Sequence, residues 1–282
     1  MPIQYDLHTH STASDGTLPP AELVRAAAAA GVDVMALTDH DTLAGVAEAG
    51  RMAEQQGLRL IPGVEISVTW QGATVHILGL NVDPECEALQ QGLVGLREYR
   101  DWRAEEIGRR LDKRGIGGAF EAACSLSTGK LVSRTHFARF LVAEGHARDV
   151  RDVFRRYLVQ GKPGHVPGKW AALEDALEWI LQARGTAVIA HPARYNMSRS
   201  KLRKLIAAFK DMGGRGLEVI SGSHSKDEYL TMARHARDFG LLSSAGSDFH
   251  DPDNPWIALG KLPPLPPGCE PVWRDFVNTN NS

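Results

Sequence analysis

Two histidines one residue apart, His8 and His10, close the run Ile3-Gln4-Tyr5-Asp6-Leu7, and Asp15-Gly16 follows in a Ser/Thr-rich loop. In an extended strand, side chains alternate between faces, so positions i and i+2 point the same way and two imidazoles can converge on one cation. A second apolar run, Val34-Met35-Ala36-Leu37, ends in Thr38-Asp39-His40-Asp41. The run from Leu58 to Val64 delivers Glu65, and the stretch from Ala73 to Gly79 carries His76. Farther along, Val188-Ile189-Ala190 leads to His191-Pro192, and the run from Leu241 to Ser247 leads to Asp248-Phe249-His250. These donors are imidazole nitrogens and carboxylate oxygens without a thiolate, which suits borderline or hard divalent ions such as Mn, Fe, Zn or Mg. The set is too large for a single ion.

The elements that must position these residues read as alternating strands and helices, the order of parallel strands with crossover helices. Pro19-Pro20 opens a helix that runs to Ala30 and stops at Gly31, and its alanines from Ala26 to Ala30 suit close packing on a sheet. A helix from Leu43 to Gln56 ends at Gly57, and the strand carrying His76 fits a hairpin partner. The rhythm then breaks, because from Glu85 to Gln160 nearly everything has helical character, including helices near His136 to Ala143 and Val150 to Val159. Residues 85–160 are therefore expected to be an inserted helical cap, with 1–84 and 161–282 forming the main α/β domain. The stretch from Gly161 through Gly168 is the return linker. Helices from Leu173 to Ala183, Ser200 to Met212 and Lys226 to Phe239 then alternate with strands from Thr186 to Ala190, Gly216 to Ile220 and Leu241 to Ala245. In a barrel of parallel strands the C-terminal strand ends share one face, so donors distant in sequence meet there. The Pro-rich tail after Pro252 is expected to wrap the surface and fray.

Composition agrees with an ordinary enzyme of 282 residues, 43% hydrophobic and 23% charged, with a formal net charge of -2. That balance argues against a general nucleic-acid coat, which needs a strong basic excess. Cys86, Cys124 and Cys269 show no paired spacing and are expected to be buried or idle thiols. The N-terminus has no secretory pattern and no apolar span is long enough for a bilayer, so a cytoplasmic protein without membrane association or an obligate protein partner is expected.

Taken together, Asp6-Leu7-His8-Thr9-His10, Thr38-Asp39-His40-Asp41, Pro62-Gly63-Val64-Glu65, His191-Pro192 and Ser247-Asp248-Phe249-His250 resemble the motifs of the PHP (polymerase and histidinol phosphatase) phosphoesterases. Within that family the chain most resembles bacterial members acting on nucleotides, the nucleoside 3',5'-bisphosphate phosphatases and 5'-to-3' exoribonucleases. The resemblance implies a distorted (β/α)7 barrel with a helical insertion and a trinuclear Mn, Fe or Zn centre, Mn being the first choice. By the same analogy His8, His10, Glu65 and Asp248 hold one ion. Glu65 bridges to a second held by His76 and His191, and Asp15, His40 and His250 hold a third. Clustered divalent cations acidify a bound water, the hydroxide attacks phosphorus in line, and no protein nucleophile is needed. Asp15, His40 and His250 are candidates to assist proton movement, although ligands make poor general bases.

The rest of the substrate requires other side chains. Ser133-Arg134-Thr135-His136 combines a capping hydroxyl, free backbone N–H groups and a guanidinium, a setting for a second phosphate. Lys169 and Arg194 are further candidate cations, while Trp170 and His224 are candidates to line the substrate cavity. Tyr99 and Trp102 read as core aromatics, and His146, His165 and His235 as surface or hydrogen-bonded core residues. Asp39 and Asp41 are expected to orient His40 or cap the following helix. The basic residues from Arg97 to Arg114 alternate with Asp101, Glu105, Glu106 and Asp112, as on a solvated, ion-paired helix face. A nucleoside bisphosphate phosphatase is the first expectation. An exoribonuclease acting on short 5'-phosphorylated RNA and an amidohydrolase-type deacylase are the alternatives.

Overall fold

The computed structural model describes residues 2–127 and 131–276. Its centre is a seven-stranded sheet in the order β1 to β7. The strands are β1 (Tyr5–Thr9), β2 (Val34–Leu37), β3 (Arg59–Trp70), β4 (Ala73–Leu80), β5 (Thr186–Ile189), β6 (Gly216–Ser221) and β7 (Leu242–Gly246). The sheet curls into a nearly closed barrel, because β7 returns to β1: the Asp248 N–H donates to the His8 carbonyl at 2.8 Å and the His10 N–H to the Phe249 carbonyl at 2.9 Å. Close approach at this seam requires Gly246, where a Cβ would lie 2.2 Å from the Cβ of His8.

The barrel is not all parallel. β4 runs antiparallel to both β3 and β5, while the other neighbouring pairs are parallel. The reason is local: Gln71 (φ 45°) and Gly72 (φ 75°) form a two-residue hairpin that returns the chain at once, whereas a parallel partner would need a crossover. β3 also runs past Val64 to Trp70, so Glu65 sits inside a strand rather than at its end.

Helices α1 (Pro20–Ala29), α2 (Val46–Gln56), α7 (Leu173–Gln182), α8 (Arg199–Asp211) and α9 (Lys226–Phe239) alternate with the strands. α2 begins at Val46 rather than Leu43, because Asp41 takes a left-handed φ of 51° and Thr42 Oγ1 accepts from the Ala44 N–H, so the intervening residues form a turn. Gly57 in the left-handed conformation ends it. A large apolar cluster fills the space between strands and helices, and a smaller one, including Leu7, Val34, Ile61, Leu78, Val188 and Leu242, fills the barrel interior. The tail joins that interior: Val272 and Phe276 are buried and Trp273 stacks on Tyr5 at 4.2 Å. The expected surface course holds at Trp256, which is exposed, whereas Val272 and Phe276 pack into the interior; residues 277–282 lie outside the described residues.

Between β4 and β5 run α3 (Glu87–Asp112), α4 (Ala119–Leu126), α5 (Arg134–Ala143) and α6 (Val150–Val153), the last continuing as a π-helical turn through Leu158. No strand interrupts this segment among the described residues. It has its own apolar cluster, which includes Ile107, Leu111, Phe137, Leu141, Val153 and Leu158. α3 joins both clusters: Leu89, Leu93 and Leu96 belong to the large one, and Ala104, Ile107 and Leu111 to the one shared with α4 to α6. No helix among the described residues is long and apolar enough to cross a membrane. The cysteines are free, with Cys124 exposed and Cys86 and Cys269 half-buried rather than fully buried.

Candidate metal centre and the cavity above it

Alternation along β1 sends His8 and His10 to the same side, and both are buried. Glu65 is the hub they meet. Its Oε2 lies 3.2 Å from His8 Nε2, 3.2 Å from His10 Nε2 and 3.1 Å from His40 Nδ1. Its Oε1 lies 2.8 Å from His76 Nδ1 and 2.9 Å from His191 Nε2. Asp248 Oδ1 stands 3.5 Å and 3.4 Å from the Nε2 atoms of His8 and His10, and His250 Nε2 lies 3.2 Å from Asp15 Oδ1. His191 (φ 27°) and Asp248 (φ 57°) leave their strands in left-handed conformations that non-glycine residues seldom adopt. All nine sequence-identified donors therefore meet at one barrel mouth.

Among the described residues, three overlapping donor groups arise: His8 with His10, Glu65 and Asp248; His10 with Asp15, His40 and His250; and His40 with Glu65 and His76. Within each, one atom per residue lies within 4.8 Å of the others. His10, His40 and Glu65 each belong to two groups, so sharing is wider than a single bridging carboxylate. The donor set fits divalent cations. His8 Nε2, both ring nitrogens of His10, Asp15 Oδ1, His40 Nδ1 and Glu65 Oε2 are buried with no hydrogen-bond partner among the described residues. Such atoms are costly to bury unless something binds them.

The electrostatics point the same way. Burial opposes charge on Glu65, Asp248 and Asp15, yet the surrounding imidazoles outweigh it and hold all three carboxyls well below their ordinary range. Burial likewise opposes charge on His8, but Glu218, Glu65 and Asp248 raise it well above an ordinary imidazole. Burial opposes charge on His10 as well, but the adjacent Asp248 and Glu65 carboxylates outweigh it and raise it to about 10. For His40 and His191 burial prevails and the neutral ring is favoured. Protons on His8 and His10 and a divalent cation are thus alternative ways of neutralising the same carboxylates.

The flanking acids hold the frame instead of capping α2, whose N-cap is Gly45. Asp39 accepts from the Ser11 N–H at 2.8 Å and from the hydroxyls of Ser11 and Ser14 at 2.6 Å, fixing the loop that presents Asp15. Asp41 accepts from the Ser67 N–H at 2.8 Å and from Arg100 Nε at 2.6 Å, docking α3 beside His40. Arg100 Nη2 also donates to Ser67 Oγ at 2.8 Å.

Above the donors lies a cavity of about 270 Å³. Seven of the nine donors line it, all but His8 and His10, together with Arg100, Arg103, Arg134, Arg194, Phe154 and Trp170. Arg100 and Arg103 are buried, contrary to the reading of Arg97 to Arg114 as a solvated face. Their signal was present in the sequence: Leu89, Leu93, Leu96, Arg100, Arg103, Ile107 and Leu111 continue one helical stripe, so the arginines occupy apolar positions. Burial and the neighbouring guanidiniums lower Arg103 to about 9 and Arg134 to about 10. Arg134 stacks on Phe154 at 5.3 Å, and Trp170 lies under Arg100 at 4.9 Å and Arg103 at 5.3 Å. Arg194 pairs with Asp248 while its side chain remains 50% exposed at the rim.

The other substrate candidates divide. Ser133 and Thr135 reach the cavity wall, but their hydroxyls donate to Asp15 Oδ2 at 3.1 Å and 2.9 Å, tying α5 to a candidate metal donor. His136 is buried, accepts the Ser133 N–H at Nδ1 in a capping box, and lies outside the cavity lining. Burial lowers it to about 4. His224 is buried, with Nε2 accepting from the Ala193 N–H at 3.3 Å, and it too lies outside the lining. Lys169 is exposed and absent from the lining, its backbone N–H bonding to the Tyr99 hydroxyl. Trp102 is 53% exposed rather than core, since it projects from the outer face of α3. His146, His165 and His235 stay away from the donor groups. Tyr195 was not anticipated: its hydroxyl lines the β4–β5 junction, accepting from the His76 N–H at 2.8 Å. Glu218, a fully buried acid in an apolar strand, was also missed. A larger cleft of about 460 Å³ near the start of β7 contains none of the candidate metal or substrate residues.

Comparison with known proteins agrees with this architecture. A 3',5'-nucleoside bisphosphate phosphatase from Chromobacterium violaceum is 49% identical over 272 residues, 96% of this chain and 95% of the relative. A 5'-3' exoribonuclease from Haemophilus influenzae is 48% identical over 98% of this chain and 100% of its own. The solved structure of an amidohydrolase from Chromobacterium violaceum, with bound sulfate and no metal, superposes with a TM-score of 0.93 at 48% identity, covering 96% of this chain and 95% of that one. The PHP domain model matches residues 6–220, the span from the first candidate motif through β6. Motifs, barrel and sequence likeness converge, and the chain belongs to the PHP domain family.

Proposed function

We propose that this protein is a metal-dependent phosphoesterase that removes the 3'-phosphate of nucleoside 3',5'-bisphosphates, such as adenosine 3',5'-bisphosphate, leaving the 5'-monophosphate and inorganic phosphate. One observation carries the reading: the donor groups and four arginines line a single cavity. The likeness to a phosphatase of that name supports it. The proposed metal donors are His8, His10, Asp15, His40, Glu65, His76, His191, Asp248 and His250, with Mn2+ the first choice and about three ions expected, Fe, Zn or Mg also suiting such donors. When bound, divalent cations supply neutralisation of phosphoryl charge and a nucleophile drawn from water near neutral pH. Asp15, His40 and His250 border the cavity together and are the groups proposed to assist movement of a proton from the attacking water toward the leaving 3'-oxygen. Arg134 and Arg194 are proposed to grip the 5'-phosphate, and Trp170 to form the wall beside the nucleoside. Residues 85–160 are proposed as a cap that closes this wall over the barrel formed by 1–84 and 161–282. A cytoplasmic location is proposed, where nucleotides turn over.

Removal of nucleotides from the 5' end of short RNA is the second reading, because the same bond between a 3'-oxygen and phosphorus is cut. The half-exposed Arg194 leaves an open rim through which a longer chain can continue, and a relative named as an exoribonuclease supports this reading. The guanidinium wall disfavours a deacylase. The test is phosphate and nucleotide release by Mn-loaded protein from a panel of nucleoside bisphosphates, 5'-phosphorylated oligoribonucleotides and N-acyl amides. Preferred turnover of bisphosphates is expected. Preference for oligonucleotides selects the second reading, and failure to hydrolyse any phosphate ester overturns both.

A further inference from the structure

Every strand except β6 brings an imidazole or carboxylate of the candidate donor set to the barrel mouth, on or just beyond the strand. β6 instead carries Glu218, fully buried between Leu217 and Val219. We propose that Glu218 is a positioning residue that holds two metal ligands at once, the imidazole of His8 on β1 and the backbone of His191 after β5. The inference rests on the metal-dependent reading given above.

Both carboxylate oxygens of Glu218 are committed. Oε1 lies 2.9 Å from His8 Nδ1, and Oε2 accepts the His191 N–H. A ring that donates its Nδ1 proton to a carboxylate keeps its lone pair at Nε2, so the bond selects the tautomer as well as the ring orientation. In His8 that Nε2 faces Glu65 Oε2 at 3.2 Å and Asp248 Oδ1 at 3.5 Å, and it has no hydrogen-bond partner. At the other end, His191 has a φ of 27° and a ψ of 55°, a conformation that persists only where surrounding bonds hold it. The bond from its N–H supplies such a hold, and the His191 Nε2 consequently stands 2.9 Å from Glu65 Oε1. His8 and His191 end with their rings stacked, centroids 5.6 Å apart. Gly246 makes the arrangement sterically feasible, since a Cβ there would lie 2.9 Å from Glu218 Oε1.

Glutamine keeps the shape of glutamate but cannot serve both partners. Its amide oxygen accepts from one N–H while its NH2 group confronts the other. Glu218→Gln protein, stripped with a chelator and titrated calorimetrically with Mn2+, is expected to bind about 10- to 100-fold more weakly than wild type. Unchanged affinity in the folded variant overturns the proposal, as does a lowered unfolding temperature of stripped protein with a wild-type dissociation constant, the mark of a purely structural role. A second measurement avoids the variant: in wild-type protein carrying 15N-labelled histidine and loaded with Zn2+, His8 is expected to bind through Nε2 with Nδ1 protonated. Ligation through Nδ1 overturns the proposal. Failure of wild-type protein to bind any divalent cation overturns the metal-dependent reading and this inference with it, whereas the variant results above count against this inference alone.

Discussion

Replacing Arg134 with alanine tests how the cavity recognises its substrate. The guanidinium is displaced to about 10 by burial and by Arg100, with Arg194 adding to the effect and Asp15 opposing it, and it makes no ion pair among the described residues. An anionic phosphate relieves that strain. A hydrogen bond to a charged group contributes about 1.5–3 kcal/mol. Removing Arg134 also relieves repulsion on Arg100 and Arg103, so the lower part of that range is expected, about 1.5–2 kcal/mol, or roughly a 10- to 30-fold rise in KM. The assay compares Arg134→Ala and wild type on a nucleoside 3',5'-bisphosphate and on p-nitrophenyl phosphate, with metal content measured in both because Arg134 lies in the field of Asp15. The large KM increase is expected for the bisphosphate only, since the aryl ester has no second phosphate. Arg134→Lys keeps the charge but loses the planar fork and is expected to fall between the two. Equal losses on both substrates would refute assignment of Arg134 to the second phosphate.

Other expectations follow from the contacts around Asp15 and the donor groups. Combined Ser133→Ala and Thr135→Ala substitution removes both hydroxyl bonds to Asp15 Oδ2, and metal content is expected to fall, with looser docking of α5 seen as faster amide exchange; unchanged stoichiometry and exchange would contradict this. His136, neutral in the fold and lowered to about 4 from an ordinary 6.5, binds fewer protons folded than unfolded between those values. Its contribution to stability is therefore full above about pH 6.5 and is lost as pH falls toward 4, at most about 3 kcal/mol in all. Urea unfolding across that range is expected to show a shallower acid decline in His136→Gln than in wild type. Because His8 and His10 are raised by their carboxylate neighbours, metal binding must expel protons. Calorimetry in buffers of different ionisation enthalpy is expected to show proton release, and a buffer-independent heat would argue against it.

Some of this arrangement was legible without coordinates because periodicity and donor chemistry are local properties. The i and i+2 spacing of His8 and His10 required only an extended strand, and the motifs ending in His40, His191 and His250 required only that strand ends share a face. The helical character of the segment holding α3 to α6 was equally visible. The antiparallel β4 was less so, because a two-residue hairpin and a crossover differ only in how the chain turns at Gln71 and Gly72.

Residue types and their periodicity were enough to pick out the candidate donors and the elements that carry them. Which partner each charge meets depends on how distant segments pack. Arg100 and Arg103 lie on a helix whose charge alternation resembles a solvated face, yet docking of α3 through Asp41 turns them into the cavity. Ser133 and Thr135 carry the right chemistry for a phosphate, but folding brings Asp15 against them from more than a hundred residues away. Glu218 offers two acceptors like any glutamate, and only the meeting of β1, β5 and β6 gives them His8 and His191 as partners. The physical reason is common to all three: a hydrogen bond or ion pair is decided by a few tenths of an ångström between chain-distant atoms, and no local pattern encodes that distance.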